Sequence, residues 1–135
     1  MLPSLTILLA EDDEEDQFLL KEALEQVDKN VRVEVVASGE KALKYLEKLP
    51  SSHLPCLIVL DYNMPGLTGQ QVLQEICKSS RYKGIPKIIW STSDDKRYIS
   101  DCLSIGATTY MVKPDNVSEI KNQAKRMIQY CTNVA

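Results

Sequence analysis

The chain has 135 residues, a formal net charge of −3 at pH 7 and a hydrophobic fraction of 44%, which are typical of one soluble globular domain. The acidic balance argues against binding nucleic acid through its phosphates. No run approaches the roughly 18 consecutive apolar residues of a membrane span, and the N-terminus lacks the basic start of a secretory signal. We therefore expect a cytoplasmic protein without direct nucleic-acid or membrane partners.

Apolar runs alternate with helix-period segments along the chain. Five short runs, at 5–10, 31–37, 56–60, 87–90 and 108–112, predict β-strands, and the third (CLIVL) is the most apolar. Apolar residues three or four positions apart predict a helix after each strand. The expected inward positions of these helices are, in chain order, Leu20, Ala23, Leu24, Val27, Ala42, Leu43, Leu46, Leu49, Val72, Leu73, Ile76, Cys77, Ile99, Cys102, Leu103, Ile120, Ala124, Met127, Ile128 and Cys131.

Residues with capping preferences flank several of these helices. Ser38 suits an N-cap, Asn116 and Glu119 have the spacing of a capping box, and Gly106 suits a helix end. The alternation predicts an α/β protein of (βα)5 type, a doubly wound parallel five-stranded sheet with helices on both faces. We expect a single domain spanning residues 1–135.

The four cysteines have no C-x-x-C spacing, and the sequence offers one histidine, His53, as a further soft ligand. This argues against a zinc site. We expect four free, mostly buried thiols, as is usual in a reducing cytosol.

Ionisable and hydroxyl side chains follow four of the five predicted strands. Glu11 and Asp12 follow the first strand, Asp61 the third, Ser91 the fourth and Lys113 the fifth. The carboxyl ends of parallel strands are where such sheets bind ligands. The pattern therefore indicates a functional site at this edge.

At these positions the sequence resembles the receiver domain of bacterial response regulators. The matching segments are LTILLAEDD, LIVLDYNMPGLTG, KIIWSTS and YMVKP, in receiver order and spacing along essentially the whole chain. The resemblance implies a flavodoxin-like sheet of order 2-1-3-4-5. It also implies a Mg²⁺-dependent (or Mn²⁺-dependent) phosphorylation switch, a signalling protein that catalyses only its own phosphorylation and dephosphorylation.

The resemblance also implies the role of each site residue. Glu in place of Asp as the first acid is a common variant, and Ser in place of the more usual Thr retains the hydroxyl but loses a methyl group. The implied roles are phosphoacceptor for Asp61; metal ligands for Glu11, Asp12, Asp61 and the backbone carbonyl of Asn63; phosphoryl contact for Lys113; and switch residues for Ser91, Thr92 and Tyr110.

The chemistry agrees with these implied roles. Strands one and three are neighbours in the order 2-1-3-4-5, about 4.8 Å apart, so Glu11, Asp12 and Asp61 can share one ion. Clustered carboxylates repel one another unless a cation compensates, and Mg²⁺ needs few protein ligands because it keeps several waters. Asp61 is then a nucleophile toward a phosphoryl group, and Lys113 neutralises charge from the other side.

The resemblance implies partners as well. The phosphodonor is expected to be a histidine kinase or a histidine phosphotransfer protein, and the output a downstream protein. The expected output surface is the face of the fourth helix, fifth strand and fifth helix, roughly 94–106 and 108–129. A cis peptide before Pro114 is plausible, since X-Pro bonds lose most of the trans preference.

Two alternative functions remain open. A phosphatase of the haloacid dehalogenase type would also use an aspartate nucleophile with Mg²⁺, but it would have a second Asp at the position of Asn63. A degenerate receiver would act only as a protein-interaction module and would lack the acceptor, the acids or the lysine. No output domain is expected after residue 132, so the chain either docks to other proteins or belongs to a longer regulator.

Overall fold

A computed structural model describes residues 5–132, so residues 1–4 and 133–135 of the expected domain lie outside the described residues. Strands and helices alternate, and two 3-10 helices interrupt the loops. None of the helices within 5–132 has both the length and the apolar character needed to cross a membrane. The elements are β1 (Leu5–Ala10), α1 (Glu14–Val27), β2 (Val31–Val36), α2 (Gly39–Lys48), β3 (Leu57–Leu60), α3 (Gly69–Cys77), β4 (Lys87–Ser91), α4 (Lys96–Ile105), β5 (Thr109–Val112) and α5 (Val117–Thr132), with the 3-10 helices at Ser51–His53 and Ser80–Tyr82.

The five strands form one parallel sheet in the order β2-β1-β3-β4-β5, which confirms the predicted topology. Strand β3 lies at the centre, and all of its residues are buried. Helices α1 and α5 pack together over one face, and α2, α3 and α4 cover the other, each face enclosing its own apolar core. Apolar runs suit this sheet because helices exclude water from both faces.

Three of the predicted helix ends agree with the structure. Ser38 Oγ accepts a hydrogen bond from the Lys41 N–H at 3.2 Å, and Asn116 Oδ1 accepts one from the Glu119 N–H at 2.8 Å. Gly106 follows α4 with a φ of +140°, a conformation that side chains with a Cβ rarely adopt. These caps satisfy backbone groups that a helix end leaves without partners.

Two of the expected inward positions are wrong. Cys77 at the end of α3 is exposed, and Leu103 of α4 is 46% exposed. Helix α4 buries only Cys102 completely. The helix covers the β4–β5 side of the sheet, where the sheet ends, so a narrower stripe of its surface is buried than its apolar pattern suggests.

The expectation of four free thiols is also wrong. Cys56, just before β3, and Cys131, in the last turn of α5, form a disulfide with a Cα–Cα distance of 5.0 Å, within the range that disulfides require. Cys77 and Cys102 are free. The two bonded residues are 75 positions apart in the chain, and Cys spacing alone does not reveal such a pairing.

Candidate functional site

The sheet register brings the first and third strand ends together. Ala10 lies opposite Leu60 across β1 and β3, and the Asp61 N–H donates to the Ala10 carbonyl at 2.9 Å. Gly69, which begins α3, lies so close to the Asp61 backbone that a Cβ on it would fall 2.3 Å from the Asp61 carbonyl oxygen. A glycine is therefore required where α3 meets the end of β3.

The structure brings Glu11, Asp12 and Asp61 into one acidic cluster. One carboxylate oxygen of each lies within 4.8 Å of the others. Glu11 is fully buried, Asp61 is 5% exposed, and Asp12 is exposed. One Glu11 oxygen, Oε1, is buried without a hydrogen bond, although Lys113 Nζ lies 2.6 Å from it. The all-oxygen donor set and this incompletely satisfied oxygen fit a hard divalent cation such as Mg²⁺.

Burial dominates the electrostatics of these acids. Desolvation raises the pKa of Glu11 to about 8, although the Lys113 ammonium and the Asp13 N–H oppose it. Desolvation also raises the pKa of Asp61, again against the pull of Lys113. A cation in the cluster would stabilise the ionised form of these buried carboxyls, which burial disfavours.

Lys113 contacts the acidic cluster through its side-chain ammonium. Its Nζ lies 2.6 Å from Glu11 Oε1, 2.9 Å from Asp16 Oδ2 and 3.6 Å from Asp61 Oδ1, and its side chain is 8% exposed. Burial opposes the charge, but the hydrogen bond to Asp16 and the ion pair with Glu11 prevail and raise the pKa of Lys113 to about 12. The ammonium is therefore permanently charged beside Asp61.

The backbone near Lys113 departs from expectation at one point. The Lys113 N–H donates to the Ser91 carbonyl at 2.7 Å, which continues the β4–β5 ladder to the site. No cis peptide bond occurs within residues 5–132, so the bond to Pro114 is trans. The trans form of an X-Pro bond keeps an advantage of about 0.5–1 kcal/mol.

The remaining predicted residues lie around this cluster in different environments. Ser91 is fully buried, and its Oγ accepts from the Ser93 N–H at 3.2 Å. Thr92 is exposed. The Asn63 N–H points to Asp61 Oδ1 at 3.4 Å, which brings the Asn63 backbone beside the Asp61 carboxylate. The Tyr110 hydroxyl donates to the Ser93 carbonyl at 2.8 Å, so this ring is held inward and half-buried.

Sequence reasoning missed two residues of the site. Asp16, in the first turn of α1, contacts Lys113 but is not among the predicted site residues. Trp90 is not among the predicted site residues either, although Lys113 Nζ lies 4.9 Å from its ring centroid. The Trp90 indole N–H donates to Gln123 Oε1 at 2.8 Å. Asp16 and Lys113 lie 97 positions apart in the chain, so no local spacing in the sequence indicates their contact.

A second aromatic contact joins the loop after β3 to α4. Tyr62, which follows Asp61, stacks on Tyr98 with ring centroids 4.5 Å apart and an interplanar angle of 14°. The Tyr62 hydroxyl also donates to Gln70 Oε1 at 3.0 Å. Tyr62, directly after Asp61, is therefore packed against α4, a helix of the expected output face.

Comparisons with known proteins agree with this architecture. The family model of the response regulator receiver domain matches residues 7–125. The two-component response regulator ORR5 of rice (Oryza sativa) is 35% identical over 98 residues, which cover 73% of this chain and 71% of ORR5. Rice ORR7 is 38% identical over 98 residues, covering 73% of this chain but only 45% of ORR7, so the chain spans less than half of that protein.

Among solved structures, that of a phosphorylated cyanobacterial phytochrome response regulator, RcpA, superposes with a TM-score of 0.88 at 29% identity, covering 98% of this chain and 97% of RcpA. The family match and the observed topology agree with each other. The chain therefore belongs to the response regulator receiver domains, the signalling modules of two-component systems.

Proposed function

We propose that the chain, as a single receiver domain, is a phosphorylation switch that accepts a phosphoryl group on Asp61. The observation that carries this proposal is the position of the buried Asp61 carboxylate, which lies within 4.8 Å of the Glu11 and Asp12 carboxylates and 3.6 Å from the Lys113 ammonium. This arrangement combines a nucleophile, a cation site and a fixed positive charge within one pocket. The expected phosphodonor is the phosphohistidine of a histidine kinase or phosphotransfer protein.

Mg²⁺ or Mn²⁺, held by Glu11, Asp12, Asp61 and the Asn63 carbonyl, would supply charge neutralisation for the phosphoryl oxygens. An Asp61 carboxylate oxygen forms the new bond to phosphorus while the phosphorus–nitrogen bond to the donor imidazole breaks. The imidazole keeps the electron pair and takes up a proton. Lys113 stabilises charge on the phosphoryl oxygens, since positioning and electrostatics dominate such transfers.

The signal would leave the site through Ser91 and Tyr110. The phosphoryl group places about two negative charges and new acceptor oxygens at Asp61. The buried Ser91 hydroxyl is a donor on the adjacent strand end, and drawing it toward the phosphoryl group would shift the loop that holds the Tyr110 hydroxyl through Ser93. The face formed by α4, β5 and α5 would thereby change and alter the affinity for a downstream protein, a two-state equilibrium biased by a local charge.

Covalent phosphorylation of the purified protein tests the proposal directly. Purified protein incubated with a small phosphodonor and MgCl₂ should gain one phosphoryl group, detected by intact mass and labile to hydroxylamine. Asp61→Asn should gain none, and Asp12→Ala should need a much higher Mg²⁺ concentration because it loses one charged oxygen ligand. Unchanged uptake by Asp61→Asn refutes the acceptor assignment. Absence of any uptake by the wild type favours the interaction-module alternative, and catalytic turnover of phosphate esters favours the phosphatase alternative.

A further inference from the structure

Lys113 contacts a carboxylate that does not belong to the acidic cluster. Asp16 Oδ2 accepts a hydrogen bond from Lys113 Nζ at 2.9 Å. The group of acids close enough to share an ion comprises Glu11, Asp12 and Asp61 without Asp16. Asp16 is thus a partner of the lysine and not of the cation.

The backbone of Asp16 is fixed in the first turn of α1. Its N–H donates to Oδ1 of the N-cap Asp13 at 2.9 Å, and its side chain is 28% exposed. A carboxylate on the first turn of a packed helix has a defined position, whereas the lysine that it binds carries its charge on a flexible four-carbon chain. The more rigid partner therefore determines where the ammonium lies.

Cation binding would change the balance among the lysine's partners. Glu11 and Asp61 would direct oxygens to the cation, and the cation would repel the ammonium from that side. The distance from Nζ to Asp61 Oδ1, 3.6 Å, is already beyond a hydrogen bond. Asp16 is then the one carboxylate among the lysine's present partners that remains free to hold the ammonium.

We propose that Asp16 is a positioning residue that holds the Lys113 ammonium beside the phosphoacceptor while the cation occupies the acidic cluster. This inference rests on the proposed function of Asp61. Asp16 would act through Lys113 and would not touch the phosphoryl group. Its effect on phosphorylation should therefore exist only when residue 113 is a lysine.

The chain offers a matched control for the charge of Asp16. Glu15 is the preceding acid in the same first turn, is exposed, and makes no ion pair or side-chain hydrogen bond in the structure as described. Removing it subtracts the same charge from the same helix end. A general effect of acidic charge on helix α1 or on the approach of an anionic donor should therefore be equal in Glu15→Ala and Asp16→Ala.

The test is the rate of aspartyl phosphate formation with acetyl phosphate at saturating MgCl₂, followed by phosphate-affinity electrophoresis. Asp16→Ala should be roughly tenfold slower than wild type, which is the scale of losing one charge-assisted bond that positions a reacting group. Asp16→Asn, which keeps an acceptor oxygen without the charge, should be intermediate. Glu15→Ala should stay within about twofold of wild type, as is ordinary for exposed surface sites.

A double-mutant cycle separates positioning from a structural role. Adding Asp16→Ala to Lys113→Ala should change the rate by less than about twofold. The inference is overturned if the loss is equally large without the lysine, or if Asp16→Ala alone phosphorylates as fast as wild type or faster. If Asp16→Ala does not fold, the same double-mutant cycle with Lys113→Ala is measured with Asp16→Asn. If the wild type takes up no phosphoryl group, the proposed function is overturned as well. If the wild type and Asp16→Ala are both phosphorylated at the normal rate, only the inference about Asp16 is overturned.

Discussion

Protonation of Glu11 should make the metal-free protein more stable in acid than at neutral pH. Glu11 has an ordinary pKa of 4.5 when the chain is unfolded and a pKa of about 8 in the fold, chiefly because it is completely buried. Between these two values the folded state holds a proton that the unfolded state has released. The unfolding free energy contributed by this group is therefore fully present below pH 4.5 and is lost as pH rises toward about 8.

The size of this effect follows from the two pKa values. They differ by about 3.5, and each pH unit over which one proton is linked to folding changes the free energy by roughly 1.4 kcal/mol, giving about 5 kcal/mol. Domains of this size are stable by only about 5–15 kcal/mol. The uncompensated carboxylate should therefore be a major determinant of stability when no cation is bound.

Urea denaturation with EDTA, followed by the fluorescence of the single tryptophan, Trp90, at several values between pH 5 and 8.5, measures this dependence. Glu11→Gln is the control, because its neutral amide has a similar shape and does not titrate. The wild-type unfolding free energy minus that of Glu11→Gln should fall by several kcal/mol across this range. Saturating Mg²⁺ should flatten the wild-type curve by replacing the proton. Parallel curves for the two proteins, or a wild-type slope that Mg²⁺ leaves unchanged, would refute the reasoning.

Three other predictions concern stability and switching. Gln123→Ala leaves the buried Trp90 N–H and a strand carbonyl without partners, so urea denaturation should report a loss of about 2–4 kcal/mol. Cys131→Ala opens a loop of 75 residues and should cost about 4 kcal/mol by loop entropy, whereas Cys77→Ala, at an exposed free thiol, should cost almost nothing. Ser91→Ala should still bind beryllofluoride at the acceptor, but NMR shifts should no longer reach α4; shifts as extensive as in wild type would contradict the switch role of the hydroxyl.

The fold was predictable because its signals are local and repeated. Each apolar run predicted a strand, and apolar residues three or four positions apart predicted each helix. The polar residues at the strand ends identified the edge of the sheet where Glu11, Asp61 and Lys113 meet. Parallel pairing brings those ends together regardless of loop details. The site could therefore be located before any distance was known.

The missed features depend on contacts that sequence spacing does not encode. The Lys113–Asp16 pair joins residues 97 positions apart, and an acid in a helix's first turn has a sufficient local explanation in the helix dipole. The Cys56–Cys131 bond likewise joins distant parts of the chain. The exposure of Leu103 depends on where the sheet ends beneath α4. The spacing of apolar residues along α4 carries no information about the position of that sheet edge.

The Cys56–Cys131 disulfide also limits how α5 can move. It fastens the last turn of the helix to the segment that enters the central strand, so that end acts as a pivot. Val117 lies 14 residues from Cys131, about 21 Å along the helix axis. A swing of about 5° would displace the Val117 end by about 2 Å and the Cys131 end hardly at all. A partner bound near the first turn of α5 would therefore contact a surface that moves by about 2 Å. A partner bound near the last turn would contact a surface that hardly moves.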